Sequence, residues 1–484
     1  MERSIRFVNY FLENVLKFLA VSPESGEWTR PSPLGGAVNQ LTQASARAGA
    51  ETLTISPFYP KLLGNPSDYR PVFQGVEKLR NMPFEVWVGK NPLYAYIRFD
   101  AYFDRPAIYG ENKIPYGDNH LKFSYLASAA LAYADVIGFN PTVLCGHDWG
   151  GALIAPIAKT VYSRAFGKTP FFFTVHNITY DFHVTESEIE RIGLPRENFN
   201  MDGYEFWGKV SLLKAGVFYA KKVLLPSPGY CDGILNDHLG GGLSGFLVRN
   251  RDKLKGIQFG LNYPFWDFNA KAAQPIEIAK KAARATLEAE LGKSFDYRMV
   301  MFCNLGPESG RTSETLATLL GDINKLNAFI VVGAVRNSPE WNYYSSVARQ
   351  EHSHMAVMDL DPSNNSGVRT ALAGSDILFA ANPTEPSASM ILKSLACGTI
   401  PLTGRDVGCA NLLSNYVGDF SSANAMLVDD SAAPDQMIRK FKNAVQLYTS
   451  NPESWSYLVR NAYQFRYEWD RTISQYILTF GEST

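Results

Sequence analysis

The chain has 484 residues, of which 46% are hydrophobic and 19% charged, with 46 Lys and Arg against 47 Asp and Glu. At roughly 100 to 250 residues per domain, this length is too great for one core and predicts two, each able to bury its own apolar interior. A formal net charge of -1 supplies no general attraction to nucleic acid or to an acidic membrane face, so function has to reside in local sites.

Residues 1–16 read as an amphipathic helical extension, because Glu2, Asn9, Glu13 and Asn14 interrupt the apolar run that a signal peptide needs. The apolar KFLAVS, a turn-rich stretch, the helical LGGAVNQLTQASARAGA and the apolar ETLTIS then form a β-loop-α-β unit. The rhythm continues through PTVLCGHDWGGALIAPIAKTV, FFFTVHNITY and KKVLLPSPGYCDGIL, which predicts a first domain over 17–262. The polar helical pattern AAQPIEIAKKAARATLEAELG marks a connector and leading helix over 263–295. Six further apolar runs, from YRMVMFCNLG to AMLVDD, predict a second domain over 296–450. A helical tail over 451–484 is placed to cross back to the first domain.

The predicted class is therefore α/β, with two doubly wound Rossmann-like domains facing a cleft at the carboxyl ends of their strands, where such folds bind ligands. Cys145, Cys231, Cys303, Cys397 and Cys409 are scattered without CxxC spacing, which argues against a disulfide scaffold or a structural zinc site and for a reducing cytoplasm. No run approaches the roughly 20 apolar residues that cross a bilayer. No membrane or nucleic-acid partner is expected, and no metal.

Several motifs carry a more specific signal: VSPE followed by LGG, FDRPAIYG with GDN, GHDW, FTVHN, AGVFYAKKVLLPSPGYCDGIL, GLSGFLVRNRDKLKGI, and CGTIPL after an NPTEPS loop. With these, the chain resembles bacterial glycogen synthase and plant starch synthase over nearly its entire length. That family comprises retaining glycosyltransferases of the two-Rossmann-domain, glycosyltransferase-B type, which add glucose from a nucleoside-diphosphate sugar to an α-1,4-glucan and need no other cofactor. The resemblance assigns catalytic roles to Glu385 and His176, with Glu385 near the positive charge that develops at the anomeric carbon. It puts Asp148, Trp149 and Asn177 on the acceptor side, where the family commonly has a histidine in place of Gly150. It puts Arg30, Asn304, Ser309, Ser387 and Gly408 on the donor side.

The donor-phosphate positions depart from the family pattern. Its Lys-Thr-Gly-Gly-Leu-Gly loop aligns with 30–35, where Pro33 has no N–H to offer. Its strand-end arginine and following lysine align with Asn304 and Ser309, with Arg311 two positions further on. Its Thr-Gly-Gly loop aligns with Asp406, Val407 and Gly408, and its nucleobase-stacking aromatic falls near Ser363. The sequence thus leaves three readings: a glycogen/starch-synthase-like glycosyltransferase with an altered donor site, a catalytically silent glucan-binding or regulatory homologue, and a coupling enzyme with an unusual sugar-like donor. The implied partners are an α-glucan or oligosaccharide and a sugar nucleotide.

Other patterns read as ordinary structure. EHSH at 351–354 has ligand-like spacing but lacks a full metal set, so it reads as a surface loop. LGGGLSG at 239–245 lacks the ending of a phosphate loop, and GHDWGG lacks the GxSxG elbow of a hydrolase.

Overall fold

The computed structural model describes residues 16–26, 32–62, 66–236, 239–272, 274–305, 310–321, 325–350, 354–360, 365–381, 385–418, 421–430 and 433–482. The expected N-terminal helix, except Leu16, and the expected site residues Arg30 and Ser309 lie outside them, as do His352, Ser363 and the Arg311 side chain.

The chain divides into two compact units. One comprises the chain up to Pro226, then Cys231–Ile257 and the segment from Trp469 onward; the other comprises Ser227–Tyr230 and Gln258–Glu468.

The first unit is built on a nine-stranded sheet among the described residues. Strand Lys17–Val21 pairs in parallel with Glu51–Pro57 on one side and Val143–His147 on the other. Tyr94–Arg98 extends the first side, and Phe171–Thr174, Lys222–Leu225 and Leu254–Gly256 extend the second, all in parallel. Strands such as VLCGH and FFFT are buried throughout because helices cover both faces, which is why they read as continuous apolar runs. An antiparallel pair, Arg70–Glu77 and Met82–Val88, closes the Tyr94–Arg98 edge.

The second unit carries a six-stranded, all-parallel sheet. Met299–Leu305, Ala328–Ala334, Met355–Asp359, Ile377–Phe379, Ile400–Gly404 and Met426–Val428, numbered 1 to 6 in chain order, lie in the spatial order 3-2-1-4-5-6. This is the doubly wound order of dinucleotide-binding folds, which reverses between strands 1 and 4. The first unit reverses in the same way, between Lys17–Val21 and Val143–His147. In such sheets the ligand crevice lies beyond the strand ends at the reversal.

The boundaries differ from those read in the sequence, for reasons visible in the hydrogen bonds. Residues 227–230 and 258–262, expected in the first domain, belong to the second unit. Ser227 Oγ donates to the Pro386 carbonyl at 2.6 Å, the Gly229 N–H to the Gly408 carbonyl at 3.0 Å, and Gln258 Nε2 to the Ser387 carbonyl at 2.8 Å. The expected connector is also integral to that unit. Its helix Ile276–Leu291 packs on Asn365–Gly374 and Pro452–Gln464, and Lys280 Nζ donates to the Ser375 and Cys397 carbonyls and to Thr399 Oγ1. The tail divides: Pro452–Gln464 stays with the second unit, whereas helix Trp469–Gly481 joins the first. There Phe480 packs on Phe172 with ring centroids 4.5 Å apart, and Arg47 meets Asp470 at 2.7 Å. All five cysteines are free thiols. Among the described residues no helix is long and apolar enough to cross a membrane.

Candidate active site

In the first unit the expected acceptor-side residues gather at the strand ends beside the reversal. Val143–His147 runs directly into the short helix Asp148–Gly151, and the turn is tight because two glycines let backbones touch. A Cβ on Gly146 would lie 2.3 Å from the Gly151 carbonyl oxygen, and one on Gly151 would lie 2.6 Å from that of Val21. The glycines of GHDWGG therefore serve backbone packing. Asp148 adopts φ +48°, a left-handed conformation that costs a non-glycine residue free energy and that concentrates at functional sites.

Asp148 is held in that conformation by what its carboxylate accepts. The His176 N–H donates to Oδ1 at 2.7 Å, and the Asn177 N–H adds a second bond. Burial nevertheless pushes the Asp148 carboxyl up to about 7. His147 Nδ1 and His176 Nε2 lie 3.1 Å apart, a distance at which one ring donates and the other, necessarily neutral, accepts. Burial lowers His147 to about 3, and burial together with His147 keeps His176 well below the ordinary histidine range. Asn177 Oδ1 accepts from Thr179 N and Oγ1, which turns the chain after the histidine. Trp149 is buried rather than presented: its ring stacks on Phe182 at 5.1 Å and meets Phe123 edge-on at 5.1 Å.

These shifts fix a pH dependence. A histidine whose affinity for protons falls on folding stabilises the protein above the unfolded value of about 6.5, and that stability is lost as pH falls toward the folded value. Asp148, raised from 3.8 to about 7, acts oppositely: its contribution is present below the unfolded value and is lost as pH rises through the folded one. At pH 5 unfolding takes up about two protons at the histidines and releases about one at Asp148, and by pH 6.5 the uptake at the histidines has fallen to about one. Acidification across that window is expected to lower the stability contributed by these three groups by about 1.4 kcal/mol in total, measured by urea denaturation at its two ends. Greater stability at pH 5 would contradict the neutral pair.

A residue not singled out in the sequence completes this cluster. Glu24, in the VSPE motif, is buried; Tyr109 OH donates to its Oε1 at 2.6 Å and Ser32 Oγ donates to its Oε2. Burial raises its proton affinity against those two bonds. Ser32 also caps helix Pro33–Arg47 by accepting from the Gly35 N–H at 2.9 Å, with Pro33 in the first turn, where its missing N–H costs nothing. The Ser-Pro pair signals such a start. Beside Glu24, Pro23 covers Gly150: a Cβ on the glycine would stand 3.0 Å from Pro23 Cγ. Gly150→His is therefore expected to destabilise the protein by about 1 to 3 kcal/mol through overpacking, read as a lower thermal midpoint. An unchanged midpoint would show that Pro23 yields freely.

In the second unit Asn304 is the penultimate residue of strand 1 and Glu385 follows strand 4, the pair that flanks the reversal. Glu385 Oε1 accepts from Ser389 Oγ at 2.7 Å and from the Met390 N–H at 3.2 Å, so its carboxylate is fixed at the positive N-terminus of helix Ser389–Ala396. Ala388, just before that helix, is buried at φ +49°, a strained conformation for alanine. The carbonyls of Pro386 and Ser387 are bonded to Ser227 and Gln258, which holds the Glu385 loop from behind. Gly408 closes the same assembly, since a Cβ there would lie 2.4 Å from Ser227 Oγ. Lys393 Nζ lies 4.6 Å from the centroid of the Trp266 ring.

Basic groups at neighbouring strand ends are already engaged. Arg336 Nε meets Asp359 at 2.7 Å and Arg405 Nε meets Asp429 at 3.4 Å. Asp406 is exposed on the turn after Ile400–Gly404, and Asn304 is half-buried.

Residues 17–249 match the profile of the starch synthase catalytic domain. The chain is 27% identical to a glycogen synthase of Photobacterium profundum, covering 96% of this chain and 94% of that one. It is 25% identical to a glycogen synthase of Thermodesulfovibrio yellowstonii, covering 96% and 97%. In these matches the chain is similar to glycogen and starch synthases along nearly its whole length. Among solved structures, the catalytic domain of Arabidopsis thaliana starch synthase IV, bound to ADP and acarbose, shares the fold with a TM-score of 0.82 at 20% identity, covering 97% of this chain and 99% of that one. Sucrose-phosphate synthase of Thermosynechococcus elongatus matches at a TM-score of 0.57 and 14% identity. The fold is thus that of the glycosyltransferase-B enzymes. Asp148, His176 and Glu385 all stand in hydrogen-bonded settings.

Proposed function

We propose that the protein is a retaining glycosyltransferase of the glycogen synthase type, transferring a glucosyl or related sugar unit from a nucleoside-diphosphate sugar to an α-glucan, through an altered donor site. The observation that carries this reading is the setting of Glu385. A carboxylate fixed by a hydroxyl and a helix N–H beyond strand 4, across the sheet reversal from Asn304, is preorganised to stabilise positive charge at an anomeric carbon. In the reaction, the bond from the anomeric carbon to the diphosphate oxygen breaks. An acceptor hydroxyl oxygen forms the new bond, and its proton passes to the departing diphosphate. The second unit binds the donor. In the first unit Asp148 positions the neutral His176, and that cluster, with Asn177, is assigned to the acceptor.

The departures at 304, 309 and 406 favour a second reading, a silent glucan-binding homologue, because a diphosphate needs cations as it leaves. Incubation with ADP-glucose, UDP-glucose or GDP-glucose labelled in the sugar, with glycogen as acceptor, separates the two. Label entering glycogen supports the transferase; glycogen binding with no label from any donor supports the silent homologue.

A further inference from the structure

We infer that the hairpin carrying Trp207 is a docking platform for a neutral α-glucan chain, outside the reacting subsite; the inference rests on the glucan reading above. Strands Glu205–Phe206 and Lys209–Ser211 pair antiparallel through the two-residue turn Trp207–Gly208, and His183–Thr185 adds a third strand. Both turn residues are left-handed, at φ +50° and +75°. Such a turn favours asparagine or aspartate followed by glycine, and a bulky residue at its first position costs free energy. Trp207 bears a second cost, because its side chain is 87% exposed. Local stability explains neither choice, and water gains nothing from either.

Two sets of ring contacts, joined through the adjacent residues Phe182 and His183, lie between this tip and the acceptor-side cluster within the same unit. Trp149 stacks on Phe182 at 5.1 Å, the adjacent His183 stacks on Phe206 at 5.1 Å, and Phe206 meets Trp207 at 6.4 Å. The rings form a track from the buried Trp149 to the exposed Trp207. Gly242, at φ +81°, lies against Phe206, where a Cβ would stand 3.3 Å from Cζ, so that face of the ring is walled by backbone.

The charges along the track carry both signs, with exposed Lys209 on one strand of the hairpin and Glu205 on the other. His183 Nε2 pairs with Asp181 at 2.9 Å, Arg249 with Asp202 at 3.5 Å, and Glu205 accepts from the Gly208 N–H at 2.7 Å. A surface of aromatic faces with no surplus of either sign suits an uncharged polymer that offers C–H faces and hydroxyls, and it offers a polyanion little.

The test is native affinity electrophoresis in gels containing glycogen. Wild-type protein is expected to be retarded. Trp207→Asn, which restores the favoured turn chemistry, is expected to raise the apparent Kd for glycogen about tenfold, the effect of removing one aromatic anchor. Its thermal midpoint is expected to rise, so lost retardation would not reflect misfolding. Trp207→Phe is expected to fall between the two. Equal retardation of Trp207→Asn and wild type, or free migration of the wild type, would overturn the platform. Retardation of the wild type and its loss in Trp207→Asn, with no sugar transfer by the wild type, would support the platform while rejecting the transferase.

Discussion

Glu385→Ala is expected to lower sugar transfer to glycogen by about two to three orders of magnitude, the usual cost of removing one preorganised electrostatic group from a transition state. The carboxylate is held at one oxygen, Oε1, by Ser389 Oγ and the Met390 N–H. Glu385→Gln separates charge from scaffold. Its amide oxygen can accept the same two bonds, so the fold and the helix start persist while the negative charge is lost. The glutamine variant is expected to unfold at nearly the wild-type temperature and to lose nearly as much rate as the alanine variant. Full activity in the glutamine variant would show that Glu385 only shapes its loop.

The second large effect concerns the leaving group. If two phosphate-neutralising cations are absent without replacement, the transition state loses about 6 kcal/mol, roughly four orders of magnitude in rate. Arg336 and Arg405, which stand at neighbouring strand ends, are paired with Asp359 and Asp429. Asn304→Arg is therefore expected to tighten ADP binding about tenfold or more in isothermal titration and to raise kcat with ADP-glucose. Asn304 is the penultimate residue of strand 1 and is half-buried, with its Oδ1 beside Gly333. Tight ADP binding by the wild type, unchanged in Asn304→Arg, would mean that other groups already grip the diphosphate.

Much of the two-unit α/β design was legible because strands buried on both faces leave continuous apolar runs, and FFFT, VLCGH and AFIVVGA announce themselves that way. Other elements left no such trace. Helix Asn119–Val136 is buried around nearly its whole circumference, Lys122 included, so it shows no amphipathic stripe to find. Lys122 Nζ is satisfied by the Ile108 carbonyl and lies 4.6 Å from the centroid of the Phe123 ring, contacts that depend on tertiary packing alone. The exchange of 227–230 into the second unit was equally hidden, because it rests on Ser227 reaching a carbonyl 159 residues away. At the site, motif residues such as Asp148, His176 and Glu385 could be named from sequence. Their electrostatics could not, since the neutral His147–His176 pair and the raised Asp148 carboxyl arise from burial. Glu24 was quoted within its motif, yet only its bonds to Ser32 and Tyr109 reveal it as the buried carboxylate of the cluster.

The most direct test of the whole account is transfer of labelled glucose into glycogen from ADP-glucose, UDP-glucose and GDP-glucose, with wild type and Glu385→Ala assayed side by side. The account predicts slow incorporation that disappears in the variant. Incorporation that proceeds equally in both proteins, or none in the wild type, would contradict it.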